Sequence, residues 1–158
     1  MISQPMLSRL VTLALILTSF SACNNSRVYE EYQGMQKMSW AVTDTVTFEV
    51  DSHKERKVLS TFRVKYNDSY DYQNLYVRYI LKDSLNNTLD NELLNLNLFD
   101  PKTGKPLGEG FGNAFTQIDT LPLKNLSTNS KIKVQLIQYM RSNELKGIES
   151  VGIKLEKE

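Results

Sequence analysis

The sequence predicts an all-β protein: an antiparallel, jelly-roll-like β-sandwich of about seven or eight strands, set behind an export signal and a short tether. Three observations carry this. Apolar and polar residues alternate in run after run, and a period of two puts one face of a strand inside and the other outside. Asn, Asp, Gly and Pro cluster between these runs, where tight connections need residues that tolerate or preset turn angles. No stretch has sustained helical periodicity framed by caps.

The first element is the export signal. Arg9 supplies a positive start and residues 10–17 an apolar run, too short to span a bilayer, which takes roughly 20 apolar residues. Phe20-Ser21-Ala22-Cys23 then closes the segment with small residues before a thiol, and Cys23 is the one cysteine of the 158-residue chain. This reads as a lipoprotein signal over residues 1–22, cut so that Cys23 becomes the first residue and carries lipid on its sulfur. Two or three acyl chains anchor stably where one is marginal. Residues 23–40 read as the lipidated N-terminus and tether, and residues 41–158 as the sandwich domain.

The strands follow in order. Val46, Phe48 and Val50 alternate with Thr47 and Glu49. Val58, Phe62, Val64 and Tyr66 share a face opposite Arg63 and Lys65. Leu75, Val77, Tyr79 and Leu81 repeat the pattern, as do Leu94, Leu96 and Leu98, then Ile132, Val134 and Leu136, and finally Val151, Ile153 and Leu155. The core is expected to contain Val46, Phe48, Phe62, Val64, Leu75, Val77, Tyr79, Val134, Leu136 and Ile153. Turns are expected at residues 67–69, 82–88, 100–106 and 124–130.

Composition narrows the function. The chain has 19 Lys and Arg against 18 Asp and Glu, and Arg9 is the one charged residue ahead of Cys23. From Cys23 onward the balance is zero, which gives no reason to expect a nucleic-acid partner or an anionic surface beyond the lipid. With Cys23 lipidated no thiol is left for a disulfide or a thiolate metal site.

The constellations that carry chemistry are thin. His53, the sole histidine, sits in the charged stretch 51–57 and reads as an exposed loop residue with no second histidine or cysteine to complete a metal site. No serine stands in a G-x-S-x-G elbow. The cluster Gly108-Glu109-Gly110-Phe111-Gly112 lacks the spacing of a dinucleotide loop, and Thr103-Gly104-Lys105 lacks the rest of a phosphate loop. The glycines read as a tight turn or bulge at a strand end. Residues 67–74 collect acids, amides and tyrosines but match no EF-hand; they read as a polar turn. No catalytic, cofactor-binding or metal-ligating residue is expected, nor a small-molecule ligand.

Several blocks, taken in order, carry a resemblance. They are Cys23, Arg27-Val-Tyr-Glu-Glu-Tyr32, Trp40, Asp44-Thr-Val-Thr-Phe48, Tyr70-x-Tyr72-x-Asn74-Leu-Tyr76, Leu107-Gly-Glu-Gly-Phe-Gly112, Gln138-Tyr-Met-Arg141, Leu145-Lys-Gly-Ile148 and Val151-Gly-Ile153. Together they resemble the gliding-motility lipoprotein family GldH of Bacteroidetes. The resemblance implies a lipid-anchored, non-enzymatic component of the gliding and type IX secretion apparatus, acting as a structural or assembly factor on other envelope proteins. It also suggests that Asp44-Thr45-Val46, Asp83-Ser84-Leu85 and Asp119-Thr120-Leu121 are O-glycosylation triplets with Thr45, Ser84 and Thr120 as acceptors; the same triplets equally suit turns running into strands. Asn24, after the cysteine with no acid nearby, points to an outer-membrane protein facing the periplasm. The alternative, from another class, is a glycan-binding sandwich, which exposed aromatics on a concave face would favour. A flat face or strand edge with exposed apolar residues would favour the assembly factor.

Overall fold

A computed structural model describes residues 26–54 and 56–158; Cys23 and the export signal lie outside the described residues. Nearly all of the described chain is antiparallel β-structure. The strands are β1 (Arg27–Gly34), β2 (Ser39–Ala41), β3 (Val46–Ser52), β4 (Arg56–Asn67), β5 (Asn74–Lys82), β6 (Thr88–Asn97), β7 (Glu109–Phe111), β8 (Ala114–Thr120), β9 (Asn125–Leu126), β10 (Ser130–Gln138), β11 (Glu144–Lys146) and β12 (Ile148–Lys157). Eight of these have seven residues or more. A single 3-10 turn, Gln36–Met38, interrupts them.

Two sheets make the sandwich. One runs β1-β12-β4-β8-β7, with β9 also on β4; the other runs β3-β10-β5-β6; a small pair, β11-β2, closes one end. The alternation seen in the sequence decides which side of each sheet is buried. All ten expected core residues lie inside, together with Trp40, Tyr66, Leu98, Leu145 and Ile148. A sandwich cannot bury a tyrosine cheaply unless its hydroxyl finds a partner. Tyr66 does: it donates to the Leu98 carbonyl at 2.6 Å and accepts from the Gly108 N–H at 3.1 Å. Trp40 Nε1 likewise donates to the Asp44 carbonyl at 2.8 Å.

Two stretches differ from the sequence reading. Residues 27–34, read there as tether, form β1 and pair along β12 from Arg27–Glu156 to Gly34–Ser150. Gly152 explains the fit: Tyr32 lies opposite it, and a Cβ at Gly152 would stand 2.2 Å from the tyrosine ring. The ring covers the glycine and holds the edge strand down. Trp40, placed at the end of the tether by sequence, is wholly buried. Second, the expected turn at 124–130 contains β9, which pairs Asn125 and Leu126 with Lys57 and Arg56.

Candidate functional site

The outer faces of the two sheets differ in chemistry. On the six-stranded sheet, β1, β4 and β12 present polar side chains that satisfy one another. Tyr32 donates to Glu30 at 2.9 Å, Arg63 donates to Tyr32 at 3.3 Å, and Tyr29 donates to Glu31. Lys154 pairs with Glu156 at 2.8 Å and Lys65 with Glu149 at 2.9 Å. Lys154 holds the Glu156 carboxyl below its usual range, and Lys65 does the same for Glu149, helped by a hydrogen bond from Asn67. Partial burial pushes the Glu30 carboxyl up, but hydrogen bonds from Tyr32 and Arg27 outweigh it and leave it lowered. Most charges of this face are therefore paired, though Leu59 and Ile118 are exposed on it.

The four-stranded sheet presents something else. Its register places Leu93, Arg78 and Ile137 in one row across β6, β5 and β10. The next row toward the β5 start holds Asn95 and Tyr76, and the Tyr139 N–H donates to the Tyr76 carbonyl at 2.8 Å. Arg78 spans the rows: its guanidinium carbon stands 4.5 Å from the centre of the Tyr139 ring, and Nη1 donates to Asn91 at 3.3 Å. Leu93, Tyr76 and Tyr139 are exposed, and Ile80 and Ile137 half-buried. Tyrosine and arginine are enriched in protein contact sites, tyrosine because it buries much area for few ordered torsions and arginine because it offers several hydrogen-bond donors and stacks on rings.

Both sheets also end on open edges. β6 has no strand beyond it. Its inward side carries Asp90 and Glu92 opposite Leu81 and Tyr79, inward charges that discourage edge-to-edge pairing along half its length. β7 is one edge of the six-stranded sheet, and at its tip Phe111 is 97% exposed. The two-residue turn Gly112–Asn113 that presents it places Gly112 at φ 68°, in the left-handed region that glycine enters at no steric cost.

The residues singled out by sequence are scattered. Thr45 is exposed just before β3, Ser84 is exposed in the β5–β6 turn, and Thr120 is exposed at the end of β8. Two of their aspartates serve the local backbone: Asp83 accepts from the Leu85 and Asn87 N–H groups, and Asp119 from that of Thr120. His53 is exposed in the bend between β3 and β4. Residues 67–69 do turn the chain, but Asn67 is buried and donates to Glu149 at 3.2 Å, while Tyr70 is buried and donates to the Asn74 carbonyl at 2.9 Å. Among the described residues no three His, Cys, Asp or Glu side chains converge as for a metal ion. The Tyr76–Arg78–Leu93–Tyr139 face was not read from the sequence. Its one signal is the apolar residue left on the polar side of an alternating run, as at Leu93, Ile80 and Ile137.

The profile of the GldH lipoprotein family matches residues 27–155. The chain belongs to the GldH lipoprotein family. It is a gliding-motility-associated lipoprotein, and as a GldH lipoprotein it is held in the cell envelope by lipid. No curated protein matches it. Among solved structures, it is similar to dimeric latent PorU from Porphyromonas gingivalis at 9% identity and a TM-score of 0.33, covering 87% of this chain and 14% of that one. It is also similar to the VP2 subviral particle of infectious bursal disease virus at 12% identity and a TM-score of 0.36, covering 84% and 30%. Both scores are low, and the GldH chain spans under a third of either protein.

Proposed function

We propose that this GldH protein is a non-enzymatic assembly factor of the gliding and type IX secretion apparatus, acting through protein contacts on the four-stranded sheet. The observation that carries the reading is the contrast between the two outer faces. One face exposes Leu59 and Ile118 but ties its exposed tyrosine, Tyr32, and most of its charges into hydrogen bonds and ion pairs; the other gathers exposed Tyr76, Tyr139 and Leu93 around a single arginine. The lipid anchor is Cys23, and the protein sits on the periplasmic side of the outer membrane. A glycan-binding role finds less support, because the Arg78 guanidinium already lies over the Tyr139 ring that a sugar would stack on.

The test is complementation of a deletion strain in a gliding host. Arg78→Glu combined with Leu93→Asp changes one half-buried and one exposed side chain and leaves the core alone. It is expected to accumulate at the membrane at normal level and to lose spreading and secretion. Full rescue by that variant would overturn the reading, and a strain defective only in glycan uptake would replace it with the glycan-binding role.

Thr45, Ser84 and Thr120 are proposed as O-glycan acceptors, a reading supported by their exposure. The intact mass of the native protein is expected to exceed that of the lipidated chain. Thr45→Ala, Ser84→Ala and Thr120→Ala should lower it stepwise; a native mass with no added hexose would leave the triplets as plain turns.

A further inference from the structure

The chain from Cys23 onward is formally neutral, yet the fold sorts its charges. β3 ends at Ser52 and β4 begins at Arg56, so the turn from one to the other marks one end of the sandwich. β10 starts at that end, since Ser130 lies opposite Ser52. β12 finishes there, with Lys157 opposite Val58. β1 therefore starts there too: Arg27 lies opposite Glu156, and the Ser26 carbonyl accepts from the Lys157 N–H at 2.7 Å. Ser26, the first described residue, therefore stands at this end. Asn24 and Asn25 separate Cys23 from Ser26, three Cα steps with a reach of at most roughly 11 Å.

That end is basic. Lys54, Arg56, Lys57 and Lys157, with Glu158, line an open groove of about 420 Å³. Lys124 stands beside them, because its carbonyl accepts from the Val58 N–H at 2.8 Å. Among the described residues none of these five cations is in an ion pair. The nearby acids are mostly engaged: Glu156 with Lys154 and Ser26, Asp51 with Lys131, and Asp83 with the backbone of its own turn. Glu158 in the groove is the exception, and Glu55 follows Lys54 in the sequence.

We propose that this end is a second membrane contact, in which Lys54, Arg56, Lys57, Lys124 and Lys157 dock on the phosphates of anionic lipid headgroups next to the anchor. The inference rests on lipidation at Cys23, which confines the basic end to within a short chain length of the bilayer. A cation so close to an anionic surface is attracted within a Debye length. The acyl chains keep the protein on the membrane; the cations fix which way it stands. With the basic end down, the Tyr76–Arg78–Leu93–Tyr139 face stands upright, open to a partner approaching parallel to the membrane.

The test uses the purified lipidated protein in phosphatidylcholine vesicles with and without phosphatidylglycerol, read by flotation and by amide exchange at residues 52–54 and 127–129. The protein is expected to float with both. Exchange at those tips should be about tenfold slower on the anionic vesicles and should revert in about 1 M salt, where screening acts within roughly 3 Å. Lys54→Gln, Lys57→Gln and Lys157→Gln together should abolish the slowing without affecting flotation, and Lys37→Gln with Lys146→Gln at the opposite end should preserve it. Equal exchange on both vesicles would overturn the proposal while leaving the anchor intact, as would equal loss from both sets of substitutions. Failure to float with either vesicle would refute the anchor reading itself.

Discussion

Tyr66 and Tyr79 are both fully buried, yet they stand differently in the core. Tyr66 is partnered at its hydroxyl by two backbone groups. The Tyr79 hydroxyl has no hydrogen-bond partner among the described residues, and burial, with Asp90 and Glu92 nearby, pushes its pKa up so that it stays neutral. Tyr66→Phe strands the Gly108 N–H, while the Leu98 carbonyl keeps the Leu107 N–H at 2.9 Å, so it is expected to cost about 1–3 kcal/mol. Tyr79→Phe strands nothing and is expected to leave stability unchanged or raise it by about 1 kcal/mol. Denaturant melts of the two variants compare them directly. Val77→Asp, which puts an unpaired charge at a fully buried position, is expected to unfold the domain, since its cost of several kcal/mol approaches the whole stability. His53→Ala, at an exposed bend, should rescue a deletion strain completely; loss of function with the fold intact would revive a catalytic or metal role.

Acid sensitivity also starts from single residues. Glu30, Glu149 and Glu156 have carboxyls below the ordinary 4.5. A carboxyl whose folded pKa is depressed contributes stability above its unfolded pKa, and that contribution is lost as pH falls through the folded value. Stability should therefore be flat from neutrality down to about pH 5 and decline below about pH 4.5. Lys65→Met should make the decline shallower, as read from urea midpoints across pH. The effect is modest because Lys65 is half exposed to solvent.

At the scale of elements, β1 tests how firmly the edge of the six-stranded sheet is held. Gly152→Val drives a side chain into the Tyr32 ring and is expected to cost about 1–3 kcal/mol. Adding Tyr32→Ala should recover part of that loss, the remainder reflecting the close Glu31 carbonyl. The inner strands were legible because their alternation is clean: β3 and β10 bury every second residue along most of their length. β6 was legible only in its second half. Leu94 and Leu96 point inward there, but in the first half the inward positions hold Asp90 and Glu92 while Leu89 and Leu93 face out. That inversion belongs to an edge strand and defeats a period-two reading. β7 and β8 escaped for a related reason, since neither carries a fully buried residue. β1 was hidden by its tyrosines and glutamates, whose fit depends on a glycine more than a hundred residues away.

Across the whole molecule, three surfaces differ in chemistry: a sheet whose charges are mostly paired, a sheet with clustered exposed aromatics, and a basic end. The family and the β-sandwich could be read from the ordered blocks and the alternation. Neither outer face could be, because a side chain's neighbours across strands depend on register, which single-sequence patterns leave unspecified. Cys23→Ser should release the protein from the membrane fraction and block signal cleavage, as fractionation and intact mass would show; persistent attachment without a partner would contradict lipid anchoring. The most direct measurement is site-specific photocrosslinking in a gliding host, with the photoreactive residue placed at Leu93, at Tyr139, or at Thr61 on the opposite sheet. Leu93 and Tyr139 should each yield the same discrete heavier adduct with another envelope protein, and Thr61 none. Silence at Leu93 and Tyr139, or the same adduct from Thr61, would contradict the assignment of the four-stranded sheet as the working face.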